Sequence, residues 1–115
     1  MSRFGRPAEK FSEARRSLML PLGAVSEERR FAEAFHQCSS AIEQFDVSSV
    51  PDEYARDALQ VVQSALDTTG ISDPTGEGTH IHRIRSMDLV AKSNFADAVD
   101  TLATWFHDAF YSRAV

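Results

Sequence analysis

Residues 86–113 read SMDLVAKSNFADAVDTLATWFHDAFYSR, and this stretch decides the fold of the chain. Its apolar side chains recur at intervals of three and four residues, which places them on one face of an α-helix. This face consists of Ala91, Phe95, Ala98, Val99, Leu102, Trp105, Phe106, Ala109 and Phe110. A helix of roughly 25 residues is about 38 Å long, so a stripe of this length needs other helices to cover it. We expect the helix to span residues 87–112.

Two earlier stretches have the same helical period. Residues 26–46 begin with Ser26, a favourable N-cap, and carry several aromatic residues on their apolar face. Residues 51–69 present mainly alanine and valine, and Gly70 follows as a C-terminal stop. A face of small side chains lets neighbouring helices approach closely and accommodates their aromatic rings. We expect each stretch to form one helix.

These three stretches predict the fold class. We expect an all-α protein, an up-down-up bundle of three main helices around one core. The bundle domain comprises residues 26–115. Residues 1–25 form a basic N-terminal segment, in which Pro7 is a favourable first residue for a short fourth helix that ends near residue 20. This segment either packs on the bundle or extends from it, and residues 1–6 have the composition of a flexible arm.

The connection between the second and third main helices is long, from residue 70 to residue 85. Its first half is rich in turn-forming residues, and residues 79–85 (THIHRIR) alternate weakly in hydrophobicity and include β-branched side chains. We expect this part to be extended, as a short strand or as ordered coil. Long connections within compact domains are often functional.

The charge of the chain is unevenly distributed. The formal net charge is −5, yet residues 1–20 hold five basic and two acidic residues and carry +3, which leaves −8 for the remainder. An acidic body disfavours nucleic-acid binding over most of the surface, because phosphate contacts need lysine and arginine. The exception is a basic set supplied by the N-terminal segment and the long connection. Its members are Arg3, Arg6, Lys10, Arg15, Arg16, Arg83 and Arg85.

His80 and His82 form a His-x-His pair in the long connection. On a strand, alternate residues face the same side, so both rings would be able to reach one metal ion. A zinc site also needs a third ligand, for which Glu77 and Asp88 are the nearest candidates. We interpret the pair as two solvent-facing histidines. An enzyme that uses this pair is the third hypothesis, after the two functions given below.

The other chemistry-bearing residues do not form a catalytic set. Glu33 and His36 have the spacing found on a helix of a di-iron bundle, but the chain lacks the second such motif that this site requires. Cys38 is the single cysteine and lies on the apolar face of its helix, where we expect it to be buried. We therefore expect no catalytic, cofactor-binding or metal-binding residue, and a protein that is not an enzyme.

The cysteine content and the hydropathy pattern indicate where in the cell we expect the protein. With one cysteine, the chain cannot form an intramolecular disulfide. No apolar run approaches the roughly 20 residues of a membrane span. We expect a cytoplasmic protein without a membrane partner.

Two hypotheses of function from different classes remain. The favoured one is a non-enzymatic protein-interaction module, whose partner and pathway the sequence does not identify. The alternative is a nucleic-acid-binding or regulatory protein that uses the basic N-terminal segment. The candidate interaction surface comprises Arg3, Arg6, Lys10, Arg15, Arg16, His80, His82, Arg83, Arg85 and Trp105.

The aromatic residues also favour a homodimer. A helix over residues 51–69 spans only about 28 Å beside a rod of about 38 Å, so the C-terminal end of the long helix, with Trp105 and its aromatic neighbours, would overhang. Two copies related by a two-fold axis would cover each other's overhang. The alternative is a monomer in which residues 7–20 fold back and supply Phe11 and Leu18 as the cover.

Overall fold

The computed structural model describes residues 4–19, 26–43, 45–73, 76 and 78–113, apart from the side chains of residues 112 and 113. Within these residues it contains five α-helices and no strand. The helices are α1 (Gly5–Leu18), α2 (Glu27–Ile42), α3 (Glu53–Leu66), α4 (Thr79–Ser86) and α5 (Leu89–Arg113), with a 3₁₀ turn at Val47–Ser49. The predicted all-α class is confirmed, and α2, α3 and α5 lie within a few residues of the three main helices that we expected.

Side-chain caps fix where these three helices begin. In each case an oxygen of the N-cap side chain accepts a hydrogen bond from the backbone N–H three residues later, which satisfies one of the free donors of the first turn. The cap is Ser26 for α2, at 3.2 Å, and Asp52 for α3, at 2.9 Å. Asp88 caps α5 at 2.8 Å. Asp88, a candidate third metal ligand in the sequence, therefore has a structural role.

Contacts at the helix ends give the relative directions of the helices. Arg6 Nε, near the start of α1, donates to the backbone oxygen of Ser40 near the end of α2 at 3.1 Å, so α1 runs opposite to α2. Lys92 Nζ, in the first turn of α5, contacts Glu27 Oε1 at the start of α2 at 2.6 Å, so α2 and α5 begin at the same end. α1 packs against both α2 and α5, and α3 packs against α5.

The helix α1 is part of the core and covers the aromatic end of α5. Phe11 stacks on Phe106, with ring centroids 5.4 Å apart. Phe4 packs edge-on against both Trp105 and Phe106, at 5.5 and 5.6 Å. Of the two arrangements considered for the overhanging end of α5, the structure therefore shows the fold-back of the N-terminal segment.

The expectation that residues 1–6 form an arm is wrong for Phe4, which is fully buried. The backbone at Gly5 lies close to the ring of Phe110, since a Cβ at Gly5 would lie 3.3 Å from that ring. The described part of the N-terminal segment thus packs on the bundle. The division of the chain after residue 25 stays a prediction, since residues 20–25 lie outside the described part.

Residues 79–86 form the helix α4, so the expectation of a strand or coil over this segment is wrong. α4 packs against α2 and α3, with Ile84 buried beneath it. A segment of eight residues makes little more than two turns, which is too short for its apolar residues to reveal a helical period.

Replacing Phe106 with alanine tests the core. Phe106 is fully buried and lies against the rings of four other aromatic residues. We expect Phe106→Ala to lower the free energy of unfolding by about 3–5 kcal/mol, measured by urea denaturation. Tyr54→Ala is the matched control, because Tyr54 is 82% exposed and its loss should change that free energy by less than about 0.5 kcal/mol. Equal effects of the two substitutions would mean that this face of α5 is not in the core.

Candidate interaction surface

The cations of α1 contact neighbouring helices. Arg6 donates to Ser40 of α2, as described above, and its guanidinium also lies 3.7 Å from the carboxylate of Glu43. Arg15 Nε lies 2.9 Å from Asp100 Oδ1 of α5. Both residues therefore neutralise groups on the helices that α1 packs against, instead of presenting an unpaired basic face.

The other basic residues of this segment are placed differently. Lys10 Nζ lies 3.2 Å from Glu13 Oε2, one turn further along α1. Arg16 is exposed in the last turn of α1, where a cation interacts favourably with the helix dipole. Arg3 lies outside the described residues.

The two arginines of α4 hold it to the helices on either side. Arg83 donates from Nε to the backbone oxygen of Ala65 at 3.1 Å and from a terminal nitrogen to that of Ser64 at 3.3 Å, which satisfies carbonyls at the end of α3. Arg85 makes two hydrogen bonds, each of 3.0 Å, to the two carboxylate oxygens of Glu28 in the first turn of α2. These hydrogen bonds lower the pKa of Glu28.

Two members of the predicted basic set, Arg6 and Arg85, lie far apart in the structure. Glu28, the partner of Arg85, and Ser40, the partner of Arg6, lie 12 positions apart on α2. At 1.5 Å per residue this places them about 18 Å apart along the helix axis. The structure therefore places Arg6 and Arg85 towards opposite ends of α2.

The two histidines of α4 point in different directions, because residues two positions apart on a helix are rotated by about 200°. The ring of His80 lies edge-on to that of Phe35 at 5.5 Å. His82 Nε2 lies 2.9 Å from Asp73 Oδ1 on the opposite side. The two rings therefore do not face one ion. In the described part of the chain, no group of three or more metal-ligating side chains is positioned to hold a metal.

Trp105 is half-buried, with its ring against those of Phe4 and Phe106. The aromatic surface that we expected a second copy to cover is here in contact with α1 of the same chain. A charged substitution at Trp105 would disrupt the core, so it does not test an interface cleanly.

Sequence reasoning missed an exposed apolar pair at the start of α5. Leu89 is 79% exposed and Val90 is 67% exposed. A signal was present in the sequence, because both are large apolar residues that fall outside the helical stripe beginning at Ala91. That stripe accounts for the buried face of α5 and leaves this pair without a role in the core.

Two ion pairs lie near the start of α5, where Leu89 and Val90 are exposed. Lys92, three positions after Leu89 and so on the same side of α5, contacts Glu27 at 2.6 Å. Arg85, four positions before Leu89, holds Glu28. A hydrogen bond from Lys92 also lowers the pKa of Glu27, so both carboxylates stay ionised near neutral pH. We call the apolar pair, together with these four charged residues, the α5 start surface.

The residues considered for catalysis are not arranged for it. Cys38 is fully buried, and burial raises the pKa of its thiol to about 12, so almost no thiolate nucleophile forms at neutral pH. Glu33 and His36 are exposed on α2 and line a shallow groove beside Arg29. Among the described residues, no polar or charged residue is buried.

Comparisons with models of protein families, with curated proteins and with solved structures find no match for this chain. None of the helices in the described ranges combines the length and the hydropathy needed to span a bilayer. The geometry of the described residues is therefore the basis for any statement of function.

The directions of His80 and His82 lead to a prediction about metal binding. We expect one equivalent of zinc to leave the melting temperature unchanged, because a ligand stabilises a protein only by binding its folded state. Differential scanning fluorimetry with and without zinc measures this. A rise in melting temperature that His82→Ala abolishes would contradict the arrangement of the two rings described above.

Proposed function

We propose that this chain is a non-enzymatic protein-interaction module that binds its partner through the α5 start surface. The observation that carries the proposal is the adjacent exposure of Leu89 and Val90. Contact with another protein would remove both aliphatic side chains from water, which is favourable by roughly 25 cal/mol for each Å² of apolar area buried. A cytoplasmic location is part of the proposal, since the chain's one cysteine is a free, buried thiol.

The surroundings of the apolar pair support an interface with a protein. Protein interfaces combine an apolar centre with a polar rim that stays partly in contact with solvent. Leu89 and Val90 supply the centre, and the pairs Arg85–Glu28 and Lys92–Glu27 supply the rim. Because the rim charges are already paired, a partner need not desolvate an isolated charge in order to bind.

We propose a second copy of the chain as the partner. A two-fold contact places the same patch of both copies together, so the patch must be complementary to itself. The α5 start surface is compatible with this condition, because its two carboxylates and two cations cancel and leave no net charge to repel a second copy. Away from this surface, the net charge of −5 on each copy opposes their close approach.

The nucleic-acid alternative has less support from the geometry. Phosphate binding needs cations that can exchange their counterions for phosphates. Arg6, Arg15 and Arg85 are instead paired with carboxylates of this chain. A salt titration of DNA and RNA binding tests the alternative. Affinity that falls steeply with salt, and that Arg15→Ala weakens, would favour it over the protein-interaction proposal.

The oligomeric state tests the proposed partner. We expect static light scattering at micromolar concentration to give a mass near twice the 12.8 kDa of the single chain. The double substitution Leu89→Glu, Val90→Glu should reduce the mass to that of one chain, because it places two charges at the apolar centre of the contact. It should leave the helical content measured by circular dichroism unchanged, since both side chains are exposed, while the melting temperature falls to that of the single chain as the dimer is lost.

Tyr54→Glu is the control for this experiment, because Tyr54 is also an exposed large side chain but lies on α3. It should leave the dimer intact. A mass of 12.8 kDa for the unsubstituted chain would contradict the homodimer. A dimer that survives the double substitution would place the contact elsewhere on the molecule.

A further inference from the structure

The helix α4 depends on its surroundings for its conformation. At eight residues it is shorter than a helix that persists by itself in water. It also lacks a side-chain N-cap, because the residue at that position is Gly78, with φ of 107°. The contacts that α4 makes with the rest of the chain therefore determine whether it is helical and docked.

Four side chains of α4 make polar or aromatic contacts outside the helix, with α2, with α3 and with the connection that precedes α4. Arg83 satisfies carbonyls at the end of α3, and Arg85 pairs with Glu28 of α2, as described above. His82 pairs with Asp73 in the connection that precedes α4. The fourth contact, that of the His80 ring, is with Phe35, which is fully buried in α2.

His80 is the member of this set whose contact depends on its being neutral. Its ring is partly buried against Phe35, and a protonated imidazole would lose water there without gaining a carboxylate partner. Burial is the main cause that lowers the pKa of His80, and the nearby imidazole of His36 on α2 lowers it further.

The anionic groups around α4 act on residues other than His80. From α2, Glu28 pairs with Arg85, whereas His36 acts on His80 itself. From the segment between α3 and α4, Asp73 pairs with His82, and the pKa of Asp67 is lowered mainly by hydrogen bonds from Thr69 and in part by Arg83. From α5, Lys92 pairs with Glu27 and also acts on Glu28. Of these groups, none is an anion in contact with His80 that would stabilise its protonated form.

We propose that α4 is a pH-sensitive latch, which is docked between α2 and α3 while His80 is neutral and is released when His80 is protonated. Because the pKa of His80 in the docked state is lowered, its contribution to docking is present in full above the ordinary histidine value of about 6.5. The contribution is lost as the pH falls through the lower, docked value. His82 contacts Asp73 on the other side of α4, so the two histidines can be separated by substitution.

Release of α4 would change the α5 start surface. Arg85 would leave Glu28, and one of the two ion pairs in the rim would be lost. Acidification would then weaken the dimer, and this consequence rests on the proposed function. The latch itself does not depend on it, because it follows from contacts within one chain.

Amide hydrogen exchange followed by NMR tests the latch. Exchange is measured at about pH 7.5 and about pH 5.0, and each rate is divided by the intrinsic rate at that pH. We expect residues 79–86 to lose protection at the lower pH while α1, α2 and α5 keep theirs. In His80→Gln, whose side chain stays neutral, this loss should be absent. His107→Gln is the matched control, because His107 is exposed on α5, and it should behave as the unsubstituted chain does.

If His80→Gln weakens docking at both pH values, direct titration of His80 in the unsubstituted chain still tests the latch. The Hε1 chemical shift of His80 in the unsubstituted chain should give a pKa below 6.5, and loss of protection in α4 should follow the same titration. Unchanged protection of α4 at low pH, an equal loss in His80→Gln, or a His80 pKa at or above 6.5 would each overturn the latch. If α4 behaves as expected but the protein stays monomeric, the latch stands and only its consequence for the dimer is lost.

Discussion

The cover that α1 provides over the aromatic end of α5 is the contact on which the rest of the structure depends. α5 is the longest helix, and its C-terminal half carries more aromatic surface than the slim, alanine-rich α3 can bury. Phe11 and Phe4 cover Phe106 and Trp105 from within the same chain. Buried rings contribute large apolar areas, and edge-on pairs add a further stabilisation of about 0.5–1.5 kcal/mol each. Because α1 also packs against α2, this one helix joins the two helices that carry most of the aromatic core.

The main helices could be predicted because their signals are local. A helical period over 16 or 25 residues, with a cap such as Ser26, fixes the type and the approximate bounds of an element. The helix α4 could not be predicted in this way, because its conformation depends on contacts with residues as distant in sequence as Glu28. Phe4 was misassigned for a related reason, since a single aromatic residue between Arg3 and Gly5 has no period.

The candidate site was less predictable than the fold. The arginines could be identified as a basic set, but the partners of Arg6, Arg15, Arg83 and Arg85 lie between 18 and 85 positions away in the chain, so no sequence pattern indicates that these four are paired. Leu89 and Val90 were detectable, because a helical stripe that begins at Ala91 leaves them outside the buried face. What the sequence could not supply is their setting, in which α2, α4 and α5 bring two carboxylates and two cations together near the start of α5.

The nuclear Overhauser spectrum of the aromatic protons tests the cover of α5 most directly. The account predicts cross-peaks from the ring of Phe11 to that of Phe106, and from the ring of Phe4 to that of Trp105, because these centroids lie 5.4 and 5.5 Å apart. The contact between Phe35 and Phe95, at 4.8 Å, lies outside α1 and serves as the internal reference. A spectrum with the reference cross-peak but without those from Phe4 and Phe11 would contradict the account, since α1 would then not cover the aromatic end of α5.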